Sequence, residues 1–127
     1  ITSVESDERA TEHAAENLAD WLGARVVNAR VDRFLGELEG SLGTKGAKGA
    51  TVVLDPPRAG AGREVVQRLV ALAPAQIVYV ACDPVAFSRD VGYFAELGWR
   101  LDKLRAFDLF PHTHHLEAVG TLVPIDA

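Results

Sequence analysis

Two short runs of apolar residues constrain the fold of this 127-residue chain more than any other feature. Residues 51–55 (TVVLD) and 76–82 (QIVYVAC) are apolar on nearly every position, which is typical of strands buried on both faces of a parallel sheet. Parallel strands need a long crossover connection, and residues 62–73 between them carry apolar side chains at helical spacing up to Pro74. The sequence therefore predicts a strand–helix–strand unit here.

The same alternation of strand and helix extends along the chain. Ser6 or Asp7 is a suitable N-cap for a first helix, and Gly23 follows that helix as a suitable terminator. Helical spacing predicts one apolar stripe on this helix, formed by Ala10, Ala14, Leu18 and Trp21 or Leu22. Pro84 just inside the start and Gly98 just past the end mark another helix, whose predicted buried face is Phe87, Val91, Phe94 and Leu97. The predicted elements are strands at 1–5, 25–31, 51–55 and 76–82, helices at 6–22, 32–39, 62–73 and 84–97, and two final strands at 99–108 and 115–123.

This order predicts a doubly wound α/β fold with right-handed crossovers and a mostly parallel sheet. The last two strands are joined by a short loop through Pro111, so we expect an antiparallel pair at one end of the sheet. The length is enough for one domain, and residues 1–127 are predicted to form it. Residues 40–49 are rich in glycine and lysine but lack phosphate-loop spacing, which indicates a surface connector.

Composition limits the classes of function. There are 13 Lys and Arg against 18 Asp and Glu, a net charge of −5, so any RNA contact must be local or supplied by another part of the protein. The single cysteine excludes an intramolecular disulfide and favours a cytoplasmic location. No apolar run approaches the roughly 18 residues of a membrane span. The charged start without Met is not a signal peptide and predicts a cut within a longer protein.

Polar residues follow the predicted strands at their carboxyl ends, where open α/β sheets collect their functional groups. Asp55-Pro56-Pro57-Arg58 closes one strand. Two prolines can simply form a rigid turn, but a carboxylate after an apolar strand is costly without a partner, so we favour a functional role.

Cys82 closes the next strand and has two interpretations. A lone cysteine after an apolar strand is commonly a small buried hydrophobe. Asp83 and Pro84 follow it as an N-cap and first helical residue, which would place the thiol at a helix N-terminus that favours the nucleophilic thiolate. The pattern alone leaves both interpretations open.

The segment 110–117 (FPHTHHLE) holds three of the four histidines. It can be a polar loop, or a metal site, although three histidines without Asp or Cys at fixed spacing are a weak zinc signal. In a third interpretation Glu117 faces the same cleft as Cys82 and accepts a proton. The residues do not decide among these.

Motifs in a fixed order resemble the RNA (uracil-5-)-methyltransferase family, which transfers a methyl group from S-adenosylmethionine to C5 of a uridine in tRNA or rRNA. The residues that carry the resemblance are VLDPPRAG at 53–60, VYVACDP at 78–84, SRD at 88–90 and DLFPHTHHLE at 108–117. The resemblance covers essentially the whole chain and implies a Rossmann-like methyltransferase fold. It matches only the C-terminal part of the family's catalytic domain.

The resemblance also implies roles for particular residues. Cys82 would be the nucleophile that adds to uracil C6, and Glu117 the general base that removes the C5 proton. The usual Ser-Cys-Asn-Pro of the family is Ala-Cys-Asp-Pro here, which puts a carboxylate beside the thiol. The cofactor-binding residues would be Glu5 at the ribose, Asp32 near the adenine and Asp55 at the junction with uracil, and the substrate-binding residues Asp55, Arg58, Asp83 and His112; no metal ligand is implied.

By the same resemblance, the first strand of the family's sheet and its glycine-rich loop are missing. We therefore expect a gap between the strands at 1–5 and 51–55. The neighbouring strands would close up, a second chain would fill the gap, or the chain would be part of a longer protein. The fragment alone should neither bind S-adenosylmethionine tightly nor methylate RNA.

Two other classes of function remain open from the sequence. The chain can be a non-catalytic α/β binding module in which Cys82 belongs to the core. It can also be a Cys–His hydrolase that pairs Cys82 with His112, His114 or His115.

Overall fold

The protein is an α/β structure in which strands and helices alternate until the last two strands. A computed structural model describes residues 1–42 and 47–126. None of the described helices is long and apolar enough to cross a membrane. The elements are β1 (Thr2–Glu5), α1 (Glu8–Leu18), β2 (Arg25–Asn28), α2 (Val31–Leu42), β3 (Thr51–Leu54), α3 (Gly62–Ala71), β4 (Gln76–Ala81), α4 (Pro84–Glu96), β5 (Trp99–Phe107) and β6 (Glu117–Pro124).

The larger sheet has the strand order β3-β4-β6-β5 and mixes both pairing directions. Strand β4 is parallel to β3 on one side and antiparallel to β6 on the other, and β5 is antiparallel to β6. The predicted strand–helix–strand unit and the predicted antiparallel pair are both confirmed. The carboxyl ends of β3 and β4 consequently lie at the same edge as the start of β6.

The first two strands form a separate parallel sheet, with Val4 of β1 opposite Val27 of β2. Strand β1 does not pair with β3, so the strands on either side of the expected gap have not closed up. A groove of about 1120 Å³ separates them, and both strands line it. The predicted doubly wound arrangement is therefore divided into two sheets, β1-β2 and β3-β4-β6-β5, with an open groove between β1 and β3.

The core of the larger sheet is built from aromatic and aliphatic side chains of β4, β6, α3 and α4. Phe94 is fully buried and its ring centroid lies 6.1 Å from that of Trp99. Gly120 lets Phe87 approach β6, because a Cβ atom there would lie only 2.6 Å from the Phe87 ring. Gly98, with φ of 81°, ends α4 as the sequence predicts.

The first helix is shorter than the sequence pattern predicts. It ends at Leu18 rather than at residue 22, and the Trp21 amide donates to the Leu18 carbonyl in a turn. Trp21 and Leu22, expected on its buried stripe, are 68% and 104% exposed. No side chain of α1 is fully buried, so burial contributes little to extending the helix.

The next strand and helix also differ from the prediction. The strand expected at 25–31 ends at Asn28, where the side-chain amide donates to the Glu5 carbonyl. Helix α2 then runs from Val31 to Leu42 rather than over 32–39, and Gly36 within it lies directly against the guanidinium of Arg68. The connector predicted at 40–49 therefore begins as helix, and residues 43–46 lie outside the described residues.

The last strand begins at Glu117 rather than at residue 115, because a compact turn precedes it. The Thr113 hydroxyl donates to the Phe110 carbonyl at 2.6 Å and accepts from the His115 amide at 3.2 Å. These bonds hold the backbone outside the ladder. Leu97, expected on the buried face of α4, is 38% exposed at the end of that helix.

Candidate active site

Cys82 lies at the carboxyl end of β4, directly across from the start of β6. Ala81 is the partner of Ala118 in this antiparallel pair. Continuing the register by one residue places Cys82 opposite Glu117. Both residues are half-buried, so each has some access to solvent. The sheet thus places the thiol across from the carboxyl group that the family resemblance pairs with it as nucleophile and base.

The N-terminus of α4 follows the thiol immediately. Asp83 is its N-cap, and its Oδ1 accepts hydrogen bonds from the amides of Val85 and Ala86, each at 2.9 Å. Pro84 occupies the first helical position as predicted. The thiol thus lies next to a helix N-terminus and next to the carboxylate that caps that helix.

The loop that follows β3 packs beside Cys82. Pro56, Pro57 and Gly60 line a small pocket together with Arg58, Cys82 and Asp83. The Gly60 amide donates to the Pro57 carbonyl at 2.8 Å, and its φ of 80° suits a turn that glycine adopts without strain. This turn presents the side chain of Arg58 at the pocket.

A buried polar cluster lies beneath the same loop. The hydroxyl of Tyr79 and the amide of Ala61 each donate to Oδ2 of Asp90 at 2.6 Å. Burial, together with the Asp90 carboxylate, raises the pKa of Tyr79 well above its ordinary value, so the phenol stays protonated. Both residues lie within the motifs that carry the family resemblance, but the sequence assigned a role to neither. The available signal was the spacing of Asp90, which falls on the buried stripe of α4 between Phe87 and Phe94.

The histidine segment places His115, and not the predicted substrate-binding residue His112, against Arg58. His112 is exposed, has a φ of 63°, and makes no hydrogen bond in the described part of the chain. His115 instead lies against Arg58, whose Nη2 is 3.4 Å from its Nδ1 and 3.3 Å from its Nε2. The His114 ring stacks on His115 with centroids 4.4 Å apart.

The interpretations of this segment as a metal site or as part of a hydrolase find no geometric support. Among residues 1–42 and 47–126, no cluster of three His, Cys, Asp or Glu side chains could hold a metal ion. Within the same ranges, no histidine hydrogen-bonds the Cys82 thiol, and the His115 ring lies against Arg58 instead.

The three residues predicted to bind the cofactor line the groove between β1 and β3. Glu5 ends β1, Asp32 opens α2 and Asp55 follows β3, and all three border the groove. Glu5 accepts from the Asp7 amide at 2.8 Å. The guanidinium of Arg30 holds the pKa of Asp32 below its ordinary value through hydrogen bonds at 3.1 and 3.0 Å.

Groove and pocket are adjacent, because Pro56, Pro57 and Gly60 line both. The predicted site residues therefore fall into neighbouring groups. Cys82, Asp83 and Arg58 border the pocket, and Glu5, Asp32 and Asp55 border the groove. Glu117 lies across from Cys82 in the sheet but outside both linings, as does His112.

Comparison with known proteins identifies the family. The model of the tRNA (uracil-5-)-methyltransferase family matches residues 32–124, which is most of the chain. The chain belongs to this family. An uncharacterized RNA methyltransferase of Streptomyces avermitilis is 46% identical over 127 residues, covering 98% of this chain and 27% of the relative. An uncharacterized RNA methyltransferase of Bifidobacterium longum is 40% identical over 94% of this chain and 27% of its own length.

Solved structures give the same result for the fold. The tRNA (uracil-54, C5)-methyltransferase of Pyrococcus abyssi, solved in complex with S-adenosyl-L-homocysteine, is 37% identical with a TM-score of 0.75. The match covers 96% of this chain and 28% of that one. The N-methyltransferase NodS of Bradyrhizobium japonicum, only 12% identical, has a TM-score of 0.68 over 97% of this chain and 72% of its own. The predicted Rossmann-like methyltransferase fold is confirmed, and the chain spans about a quarter of the length of the RNA methyltransferases it matches.

The position of Asp83 predicts the effect of removing its charge. Asp83→Asn keeps a good N-cap but removes a negative charge beside the thiol. We expect alkylation of Cys82 by iodoacetamide at pH 7 to become about 3- to 5-fold faster, since two like charges a few ångströms apart repel by roughly 1 kcal/mol where water screens them fully. Asp20→Asn, an exposed change in the turn after α1, is the matched control. An unchanged or slower rate in Asp83→Asn would show that the carboxylate does not oppose the thiolate.

Proposed function

We propose that this chain carries the catalytic residues of a larger enzyme that transfers a methyl group from S-adenosylmethionine to C5 of a uridine in tRNA or rRNA. The observation that carries the proposal is the register of β4 and β6: Ala81 pairs with Ala118, and the next residue of each strand end is Cys82 on one side and Glu117 on the other. Membership of the uracil-5-methyltransferase family supports the same reaction.

The chemistry of uracil explains why a thiol is needed. C5 of uracil is a poor nucleophile, and addition of a thiolate at C6 makes C5 enolate-like. Cys82 is half-buried, borders a pocket and directly precedes the N-terminus of a 13-residue helix, so a substrate can reach its thiol. These features distinguish it from a cysteine sealed in the core.

Glu117 is proposed as the proton acceptor. Once C5 carries the new methyl group, it must lose its proton before the thiol can leave C6. The base must therefore reach C5 while C6 is bonded to Cys82, and a residue across the sheet from that cysteine is suitably placed. This carboxyl group is also half-exposed, so the proton can pass on to solvent.

The remaining site residues are proposed to orient the uracil and its RNA. Arg58, at the pocket and against His115, offers a guanidinium to a uracil carbonyl or a phosphate. Asp55 and Asp83 supply acceptors for the uracil N–H, and His112 is retained as a substrate contact from the family motif. The target base must be turned out of its RNA to reach Cys82.

The groove residues fit an adenosine-containing cofactor. Carboxylates accept hydrogen bonds from ribose hydroxyls, and Glu5 reaches the groove from the end of a strand, where such ligands bind in open α/β sheets. Glu5, Asp32 and Asp55 would hold S-adenosylmethionine, with Asp32 already paired to Arg30. When bound, this cofactor supplies an electrophilic methyl group.

The rest of the RNA-binding surface is proposed to lie in other parts of the protein. The net charge of −5 provides no general attraction for a polyanion, and the chain spans only about a quarter of its relatives. Uridine in RNA is the proposed substrate of the whole enzyme, and this chain supplies its nucleophile and base.

Separate variants of the two catalytic residues test the division of labour in the full-length protein. Cys82→Ala should abolish turnover because no C6 adduct can form. Glu117→Gln should let the methylated adduct form but slow its release by about 100- to 10,000-fold, the usual contribution of a general base. Single-turnover kinetics with gel detection of the protein–RNA adduct measures both steps.

Glu12→Gln, the same chemical change at an exposed position on α1, is the control and should leave both steps unchanged. Blocked adduct formation with normal release in Glu117→Gln would reverse the assigned roles. Full turnover by Cys82→Ala would exclude the covalent mechanism.

The open groove predicts that the 127-residue chain alone binds S-adenosylmethionine weakly. The facing edges of β1 and β3 do not pair with each other. In open α/β sheets a cofactor binds against the backbone of neighbouring strand ends, and that backbone is incomplete in the groove. Calorimetric titration should show no binding in the micromolar range for the chain and clear binding for the full-length protein. Micromolar binding by the chain would mean that Glu5, Asp32 and Asp55 suffice.

A further inference from the structure

Asp90 is the one charged residue that is fully buried among residues 1–40 and 47–126, whose side chains the structure describes. It lies on α4, on the face that packs against β4 and the loop after β3. An ionised carboxylate buried without partners is strongly unfavourable, so its surroundings must compensate for the lost hydration. Asp90 is not among the groups proposed above to contact uracil or cofactor.

Both carboxylate oxygens of Asp90 accept several hydrogen bonds. Oδ2 accepts from the Tyr79 hydroxyl and the Ala61 amide, each at 2.6 Å, and from the more distant Gly62 amide at 3.4 Å. Oδ1 accepts from Nη2 and Nε of Arg89 at 2.8 and 3.2 Å. The carboxylate thus joins β4, α4 and the start of α3.

The same cluster holds the end of the loop that carries the site residues. Nη2 of Arg89 also donates to the Ala59 carbonyl at 2.7 Å. Between the two attachment points, Gly60 lies so close that a Cβ atom there would be 2.6 Å from Asp90 Oδ2 and 2.7 Å from Arg89 Nη2. The backbone of residues 59–62 is therefore fixed against Asp90 by hydrogen bonds and by close packing.

The opposite side of this loop faces the nucleophile. Arg58 and Gly60 line the small pocket with Cys82, and Tyr79 lines it from below. A change in the loop's attachment would move the guanidinium of Arg58 relative to the Cys82 thiol. Displacement of a reacting group by about 1 Å can cost roughly 100-fold in rate.

We propose that Asp90, acting with Tyr79, is a positioning residue that fixes residues 59–62 so that Arg58 and Asp55 face the uracil bonded to Cys82. This inference rests on the proposed function, since it assigns a role within that reaction. Asp90 touches neither substrate nor cofactor and acts through the loop. Its charge matters because a carboxylate can accept from four donors at once, whereas an amide oxygen with an attached NH₂ cannot.

Two variants and a matched control test the proposal. Tyr79→Phe removes one oxygen from the cluster, and Asp90→Asn removes its charge. Tyr93→Phe makes the same chemical change as Tyr79→Phe on the outer part of α4, where the ring lies 4.2 Å from the guanidinium carbon of Arg63. Thermal melting shows whether each variant is folded. If Asp90→Asn does not fold, Tyr79→Phe alone tests the proposal.

The first readout needs no enzymatic activity. Amide hydrogen exchange of Ala61 and Gly62 in the 127-residue chain should become at least about 10-fold faster in Tyr79→Phe and Asp90→Asn, and stay within about 2-fold in Tyr93→Phe. Unchanged exchange at both amides would show that Asp90 does not hold the loop, and would overturn the proposal whatever reaction the enzyme performs.

The second readout uses the full-length protein. In Tyr79→Phe and Asp90→Asn we expect kcat for uridine methylation to fall about 10- to 100-fold, while KM for S-adenosylmethionine stays within about 3-fold. Unchanged kcat in a folded variant with faster loop exchange would overturn the positioning role. Absence of uridine methylation by the wild-type enzyme would instead overturn the proposed function, and the exchange experiment would still decide whether Asp90 holds the loop.

Discussion

The pairing of β4 with two different neighbours positions the groups around Cys82. Its parallel pairing with β3 brings the loop carrying Asp55 and Arg58 to the sheet edge where Cys82 lies. Its antiparallel pairing with β6 places Glu117 across from the same cysteine. Because side chains alternate along a strand, a slip of one residue in either pairing would reverse which groups face each other. Burial of Ile77 and Tyr79 opposes such a slip.

The two halves of the site differ in how completely the chain builds them. Around Cys82 the strands are paired, α4 is capped by Asp83, and the neighbouring loop is fixed to the buried carboxylate of Asp90. On the groove side, β1 and β3 face each other across an open groove. Their facing backbone edges form no strand pairing with each other. Under the proposed function, Cys82 would be a preorganised nucleophile beside a cofactor groove that this chain, about a quarter of the length of its relatives, builds only in part.

Local signals allowed most of the fold to be predicted, and long-range packing accounts for the errors. Strand β4, the cap at Asp83 and the terminator at Gly98 all follow from neighbouring residues. Trp21 was expected in the core because its spacing is helical, but no packing partner extends the helix that far. The place of Cys82 at a strand end was predictable. The hydrogen bonds of Asp90 were not predictable, because the donors at Ala61 and Tyr79 belong to other segments. Only folding brings them to Asp90 on α4.

A covalent bond between Cys82 Sγ and uracil C6 is the step on which the proposed function depends. The direct measurement is mass spectrometry of the full-length protein after reaction with S-adenosylmethionine and RNA that contains 5-fluorouridine. Fluorine at C5 cannot leave as a proton, so the adduct should persist after methyl transfer. The predicted result is a methylated fluorouridine nucleotide attached to the peptide that contains Cys82. An adduct mapped to another residue, or formation of 5-methyluridine in ordinary RNA without any adduct at Cys82, would contradict the mechanism.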